Sequence, residues 1–424
     1  MNVIKNYAFT FFLISGIIAG GVFGIVFGEG ASVVKPVGDV FLNLMFMLIV
    51  PLVFFSISAA VYNMKQMNMI GKLLANILLV FIGTALLSAV TAYALTLFYN
   101  PLRGVNKTII MANLPMVNEI VRLSPGELFV RTFTVPDFLQ LFTKAHLLPL
   151  ILFSALLGLA TAFAGEKGKN IALLLNSGMA VTMRMMNLIM YLAPIGLGCY
   201  FADTVGRVGG QILSGYLNAF LLYLVLALIY FFGFNSLFAW FADGKNGVRS
   251  FWRNIITPSL TAIGTSSSAA CIPINIQAAQ KMGVPAAIAE SVIPLGTNIH
   301  KDGSVMGGVI KIIFLLTIFG LQGGFSGNPF FIIGVALLVG AVMGAIPSGG
   351  MTGELLICSV FGFPPQLAGT LMVISTIIDV PATLINSTGN VSSTLLIARL
   401  TGGKQWKKPP NLTNNNEANQ ILNK

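Results

Sequence analysis

Four charged or titratable side chains stand in the middle of apolar stretches, where charge is costly. His300, Lys301 and Asp302 are consecutive within residues 286–319, and Asp379 is the only acid within residues 366–400. A charge at the centre of a bilayer costs about 2.5–3.5 kcal/mol on insertion scales, so such residues pair, face a wet cavity or carry function. Lys301 and Asp302 could simply neutralise each other, although neighbours on a regular helix point to different faces. Asp379 is suited to holding a substrate ammonium or a coupling cation; its plainer alternative is a helix-stabilising pair.

Ser266, Ser267 and Ser268 supply hydroxyls and free amides at a turn, and Pro347, Ser348, Gly349 and Gly350 offer a second such turn. Helix ends aimed into a turn of this kind carry partial positive charge and suit a carboxylate. A Ser- and Gly-rich loop is often only a turn, and the apolar flanks are what give these two weight. Enzyme chemistry is poorly supported. Ser267, His300 and Asp302 hold the letters of a hydrolase triad, but no G-x-S-x-G elbow frames the serine. The two histidines, His146 and His300, form no H-E-x-x-H, and there is no G-x-x-x-x-G-K-[ST] loop for ATP.

The elements that must position these residues are membrane spans. Apolar residues make up 56% of the chain and charged ones 9%, against roughly 25% charged in a soluble domain. Mean hydropathy is +0.87. Runs of about 20 apolar residues, enough to span a bilayer as a helix, recur throughout. The net charge of +11 therefore reads as positive-inside connectors and not as a nucleic-acid surface. Cys199, Cys271 and Cys358 are far apart in apolar surroundings, and we expect neither a disulfide framework nor a metal cluster. The single lysine before the first apolar run would suit a signal peptide, but that run lacks a small-x-small site and continues as a full span.

Six spans are expected near residues 7–28, 40–62, 74–99, up to 165, 177–201 and 212–241. In the first, Gly16, Gly20, Gly24 and Gly28 recur on one face and should let another helix approach closely. Alternating the spans from an inside N-terminus puts Lys65, Lys72, Lys167, Lys169, Lys245, Arg249 and Arg253 on the cytoplasmic side, with the tail lysines Lys404, Lys407 and Lys408.

The last third behaves differently. Residues 254–282 are interrupted at 264–268 and at Pro273, and residues 332–363 at 347–350. Each reads as a helical hairpin dipping into the membrane, its tip buried in protein or lining a wet cavity. Each is followed by a segment expected to be broken, the first at 296–303 and the second at Asp379 and at 386–390. A hairpin followed by a broken helix, twice over, is an internal repeat, and such paired interruptions point to a transporter's binding site.

At these residues the chain resembles the dicarboxylate/amino acid:cation symporter family, which includes the glutamate transporter homologues. The matching features run in order from Ala193-Pro194-Ile195-Gly196 through the serine-rich tip 265–273, Asp302-Gly303 and the tip 346–350 to Asn386-Ser387-Thr388-Gly389-Asn390. The similarity spans about residues 5–403. It implies an all-α membrane protein with eight transmembrane helices, two re-entrant hairpins and inverted repeats. It implies a homotrimer in a bacterial-type inner membrane, with both termini cytoplasmic and a polar tail at 404–424. A scaffold (about 1–72 and 130–206) would hold a transport domain (about 73–100 and 210–403) that moves like an elevator. The resemblance implies that Ser267, Ser268, Ser304, Pro347, Gly350, Asp379, Thr383 and Asn386 bind substrate, Asp379 through its amino group. Cation or proton coupling would fall to Asn298, His300, Lys301, Asp302, Asn386 and Asn390.

The departures carry their own expectations. Acidic-substrate members have arginine where this chain has Ala382, and without that fork a side-chain carboxylate loses its bidentate partner. Glutamate and aspartate are therefore not expected. The family's Asn-Met-Asp is His300-Lys301-Asp302 here, and a sodium-site aspartate is Asn390. Hard cations want oxygen ligands, so sodium binding should weaken. Lys301 would supply a fixed positive charge and His300 or Asp302 would carry a proton. Two functions stay open: cation-coupled symport with sodium or protons, or an ion-uncoupled exchanger or anion-conducting member of the same fold.

Overall fold

The computed structural model describes residues 2–66, 71–105, 130, 134–143, 146–208, 210–321, 323, 326–343, 349–403 and 406, and their regular structure is helical. Helices α1 (Asn2–Phe27) and α2 (Lys35–Gln66) are joined by the tight helical turn Gly28–Val34. Then come α3 (Gly71–Phe98), α4 (Leu147–Phe163), α5 (Lys169–Met190) and α6 (Ala193–Val208). Helix α7 (Gly210–Leu228) passes through a wide π-type turn, Ile229–Phe234, into α8 (Asn235–Asn254), which kinks at Asp243 and Gly244. The final third holds α9 (Ile256–Thr265), α10 (Ser268–Lys281), α11 (Ala286–Ile299) and α12 (Asp302–Ile318). It ends with α13 (Pro329–Val342), α14 (Gly349–Phe361) and α15 (Leu367–Gly402). By length and composition, five helical stretches among the described residues can cross a membrane: Phe12–Asn63, Leu73–Phe98, Gly165–Met190, Ile212–Asn254 and Leu367–Gly402.

The glycine stripe of α1 does what its spacing predicts. A Cβ at Gly16, Gly20 or Gly24 would fall 2.2, 2.1 or 2.5 Å from the carbonyl oxygens of Pro194, Gly198 and Ala202 on α6. Only hydrogen side chains permit that approach.

The first hairpin forms as expected, α9 and α10 meeting at Ser266 and Ser267, but Pro273 lies inside α10 and does not interrupt it. The second hairpin has its arms in α13 and α14; its tip, including Pro347, lies outside the described residues. The segment expected to break at 296–303 breaks more narrowly, at His300 and Lys301.

Two expectations are corrected. The span expected at 177–201 is two helices, α5 ending at Met190 and α6 starting at Ala193. Pro194 cannot donate to the carbonyl of Met190 and its ring crowds it, which ends a helix. The segment expected to break at Asp379 and at 386–390 is instead one 36-residue helix, α15, with Pro381 inside it. A single proline forfeits one backbone bond and can be carried as a kink. The polar run beyond it is satisfied by side chains on neighbouring helices, so the backbone has no need to unwind. Of the two broken segments expected in the last third, only the first is unwound, at His300 and Lys301.

Packing sorts the helices into two groups. Helix α1 lies along α6, and α2 packs on α4, α5 and α6. In the second group α12 packs against α3, α13 and α15, and α15 also against α8, α9, α10, α11 and α14. The groups touch each other sparsely, chiefly through α1 with α9 and α14 with α4.

Candidate functional site

The break between α11 and α12 supplies the centre of the site. His300 has an extended backbone (φ −116°, ψ 101°) and Lys301 a non-helical one (φ −134°, ψ 66°), so consecutive side chains leave in different directions. A helix that starts inside the protein has free N–H groups that need partners. Asn386, on α15, provides them: its Oδ1 accepts from Gly303 N at 2.9 Å and Ser304 N at 3.3 Å, and its Nδ2 donates to Ser304 Oγ at 3.2 Å. The Tyr223 hydroxyl donates to Gly303 O at 2.9 Å.

The imidazole of His300 is buried and oxygen-lined. Nδ1 donates to Asn390 Oδ1 at 2.8 Å, and Nε2 lies 2.7 Å from Thr84 Oγ1. Asp302 Oδ1 stands 3.1 Å from Nε2, an ion-pair distance, yet it is too poorly aligned to count as hydrogen-bonded. Tyr230, held by the wide turn between α7 and α8, donates to Asp302 Oδ2. Turns of this π type recur at functional sites. Phe81 of α3 stacks on the imidazole at 4.3 Å with the planes 10° apart. Gly296 closes the other side: a Cβ there would sit 2.4 Å from Asn390 Oδ1.

Lys301 points elsewhere. It is buried and, among the described residues, has no ion pair within 4 Å, but Asp379 is near enough for the two charges to attract. Asp379 also bears electrostatically on Tyr223. Asp379 itself is exposed in this chain. Thr383, one turn on, is buried.

At the first hairpin tip Ser266 adopts a left-handed backbone, φ 47°, which turns the chain between two helices. The Ser267 hydroxyl then caps α10 by accepting from Ala270 N at 3.3 Å. Asn275 anchors the arm to α15, its Nδ2 donating to Ser387 Oγ at 3.0 Å and Ser387 O at 3.3 Å. Cys271, on the same arm, neighbours Ser387 and Thr265 and lies within electrostatic reach of Lys301, which brings Ser268 and the tip toward the Lys301 side of the break.

The residues singled out from sequence thus assort unevenly. His300, Asp302 and Asn390 make one cluster; Ser304 and Asn386 make direct bonds beside it; Lys301 and Asp379 lie within electrostatic reach of each other. Asn298 does not join them: it is exposed and its Nδ2 returns to Pro294 O of its own helix at 3.0 Å. Gly350 lies in the first turn of α14. Thr84, Phe81, Tyr223 and Tyr230 were not picked out, because uncharged side chains within long apolar spans give no composition signal.

The donor set bears on which ion fits. A phenol donates to Asp302 and the His300 ring stands beside it, with the Thr84 hydroxyl and the Asn390 carbonyl at the two ring nitrogens. A hard cation wants six or more oxygens; an imidazolium would meet an oxygen at each ring nitrogen.

A family model described as the sodium:dicarboxylate symporter family matches residues 9–400. The chain is 27% identical over 415 residues to the proton/sodium-glutamate symport protein of Geobacillus stearothermophilus, covering 93% of this chain and 95% of that protein. The protein of the same description from Bacillus subtilis is 27% identical over 398 residues, 91% of each chain. A C4-dicarboxylate transport protein of Rhizobium etli is 25% identical over 399 residues, 91% of this chain and 88% of that protein.

Proposed function

This chain belongs to the sodium:dicarboxylate symporter family, and on that footing we propose that it carries a small amino acid or dicarboxylate-like solute across the membrane together with a proton. It is a membrane transporter and not an enzyme. Relatives are named for proton/sodium-glutamate symport and for C4-dicarboxylate transport, and the family's own description is sodium:dicarboxylate symport, which supports cation coupling. The observation that carries the proton reading is His300, whose ring fills the space between Thr84, Asn390 and Asp302.

The solute would lie in a cleft beside Asp379, with Ser267 and Ser268 at one tip, Gly350 on the second hairpin, and Ser304, Thr383 and Asn386 completing the wall; Pro347, also expected there, lies outside the described residues. Ala382 in place of an arginine disfavours glutamate and aspartate. The helices α3 and α7–α15 would travel as one body past α1, α2 and α4–α6, within a homotrimer in a bacterial inner membrane. The sparse packing between the groups supports such sliding.

Uptake into proteoliposomes tests the coupling. A proton gradient at zero sodium should drive accumulation of the solute found by thermal-shift screening of amino acids and dicarboxylates. A stoichiometric sodium requirement at fixed proton gradient would overturn the proton reading. The internal balance of Lys301 against Asp379 also favours a second reading, an ion-uncoupled exchanger. Counterflow with no response to any ion gradient would establish that instead.

A further inference from the structure

A second buried ionic centre lies away from His300 and Asp302. Lys311 of α12 and Glu354 of α14 are 1% and 0% exposed. Lys311 Nζ donates to Glu354 Oε1 at 2.5 Å and to Ser375 Oγ of α15 at 2.8 Å. The Ser375 hydroxyl donates in turn to Glu354 Oε1 at 2.5 Å. The triangle is closed, yet incomplete. Glu354 Oε2 is buried and has no hydrogen-bond partner, and the third N–H of Lys311 has no acceptor among the described residues.

Such a pair is a poor device for stability alone. Apolar residues of similar volume do as well or better, whereas removing one partner leaves an uncompensated charge. Its position is more telling. Ser375 lies one turn before Asp379 on α15, and Lys311 lies about 10 Å along α12 from Ser304. The three helices it joins include the two that bear the candidate pocket and the arm of the second hairpin.

The chemistry of the seat selects its occupant. Glu354 Oε1 and Ser375 Oγ meet the Lys311 ammonium, and Glu354 Oε2, on the same carboxylate, is a third oxygen left without a partner; three oxygens are too few for sodium or another hard metal ion. They match the three N–H donors of a primary ammonium. We propose that Glu354 and Ser375 form an ammonium seat, and that Lys311 is its tethered occupant, an internal counter-ion that holds α14 in register with α12 and α15 without drawing a cation from solution. The lysine stem lets the nitrogen reach two of the three oxygens; an untethered ammonium can reach all three, which accounts for the orphan Oε2.

The test reads stability, so its outcome is independent of whether the symport reading stands. Lys311→Ala deletes the equivalent of n-propylammonium. The purified variant should melt below the wild type, and n-propylammonium chloride should raise its melting temperature saturably, recovering most of the loss. Wild-type protein should not respond beyond a general salt effect. Tetramethylammonium, which has no N–H, and 1-propanol, which fills the space without charge, should fail. The double variant Lys311→Ala/Glu354→Leu should ignore the amine. If Lys311→Ala aggregates on extraction, the readout becomes the yield of monodisperse protein from membranes solubilised with or without n-propylammonium, and recovery by the amine alone is expected. No response to the amine in either form, an equal response to 1-propanol, or an undiminished response in the double variant overturns the proposal.

Discussion

His300 Nδ1 lies 2.8 Å from Asn390 Oδ1, across 90 residues of sequence. The contact joins the unwound middle between α11 and α12 to the polar run of α15. Phe81 stacks flat on the ring and Gly296 backs Asn390, so neither partner can swing away without disturbing its packing. The imidazole is therefore a fixed part of the wall around Asp302.

That arrangement can be converted. Asn390 Nδ2 is buried without a partner, so Asn390→Asp forfeits no hydrogen bond there. Combined with His300→Asn, it would replace the ring by a smaller carbonyl and add a carboxylate. Four oxygen-bearing side chains, with Thr84 and Asp302, would then surround the gap, which is the chemistry a hard cation needs. The double variant should gain a sodium-specific rise in melting temperature, absent with potassium and absent in the wild type. Indifference of both proteins to sodium in a thermal-shift titration would count against His300 as the cause.

Tyr230 is the only hydrogen-bond donor to Asp302 among the described residues that is well aligned. Tyr230→Phe removes the hydroxyl and leaves both carboxylate oxygens without a hydrogen bond. An unsatisfied buried group costs about 1–3 kcal/mol, and more when charged. The variant should lose thermal stability and most of its uptake. Tyr223→Phe, which deprives only the backbone carbonyl of Gly303, should cost about 1 kcal/mol and keep more of both. Equal effects would mean that the Asp302 bond has no special weight.

Much of this site was legible from charge in the wrong solvent. His300, Lys301 and Asp302 stand out because apolar neighbours make them expensive, and the same reasoning found Asp379. The glycine spacing of α1 gave its close approach to α6, because only one residue type satisfies it. The polar run 386–390 suggests a break and forms none: it looks like a loop until its partners, Ser304, Asn275 and His300, are seen to come from other helices. Tyr230 and Thr84 were invisible for a different reason. Their hydroxyls matter only through residues far away in sequence, and no periodicity encodes that.

The α1–α6 contact gives a packing prediction with an internal control. At Gly20 a Cβ would fall 2.1 Å from Gly198 O, whereas at Gly83 it would meet nothing within 4 Å. Overpacking a tight contact costs about 1–3 kcal/mol, sometimes more. Gly20→Val should lower the melting temperature of the detergent-purified protein clearly, and Gly83→Ala should leave it near the wild-type value. Similar melting temperatures for the two variants would show that α1 and α6 do not pack this closely.

If the proposed solute site at Asp379 is right, Lys301 and Asp379 together should decide which solutes it accepts. Asp379 is the acid proposed to take a substrate ammonium, but Lys301 already presents one from within the protein, close enough to attract it. A solute bringing its own ammonium must compete with a tethered charge, while a solute bearing only carboxylates gains from Lys301. Lys301→Met keeps the length of the side chain and removes the charge, which frees Asp379. The variant should shift selectivity toward solutes with an amino group, by about tenfold if the competing attraction is near 1.4 kcal/mol, and should lose affinity for solutes that carry carboxylates alone. Asp379→Asn should do the opposite, penalising amino-bearing solutes and sparing carboxylates. Competition of unlabelled amino acids and dicarboxylates against labelled substrate in proteoliposomes measures both shifts. If the two variants change selectivity in the same direction, the two charges do not act in opposition.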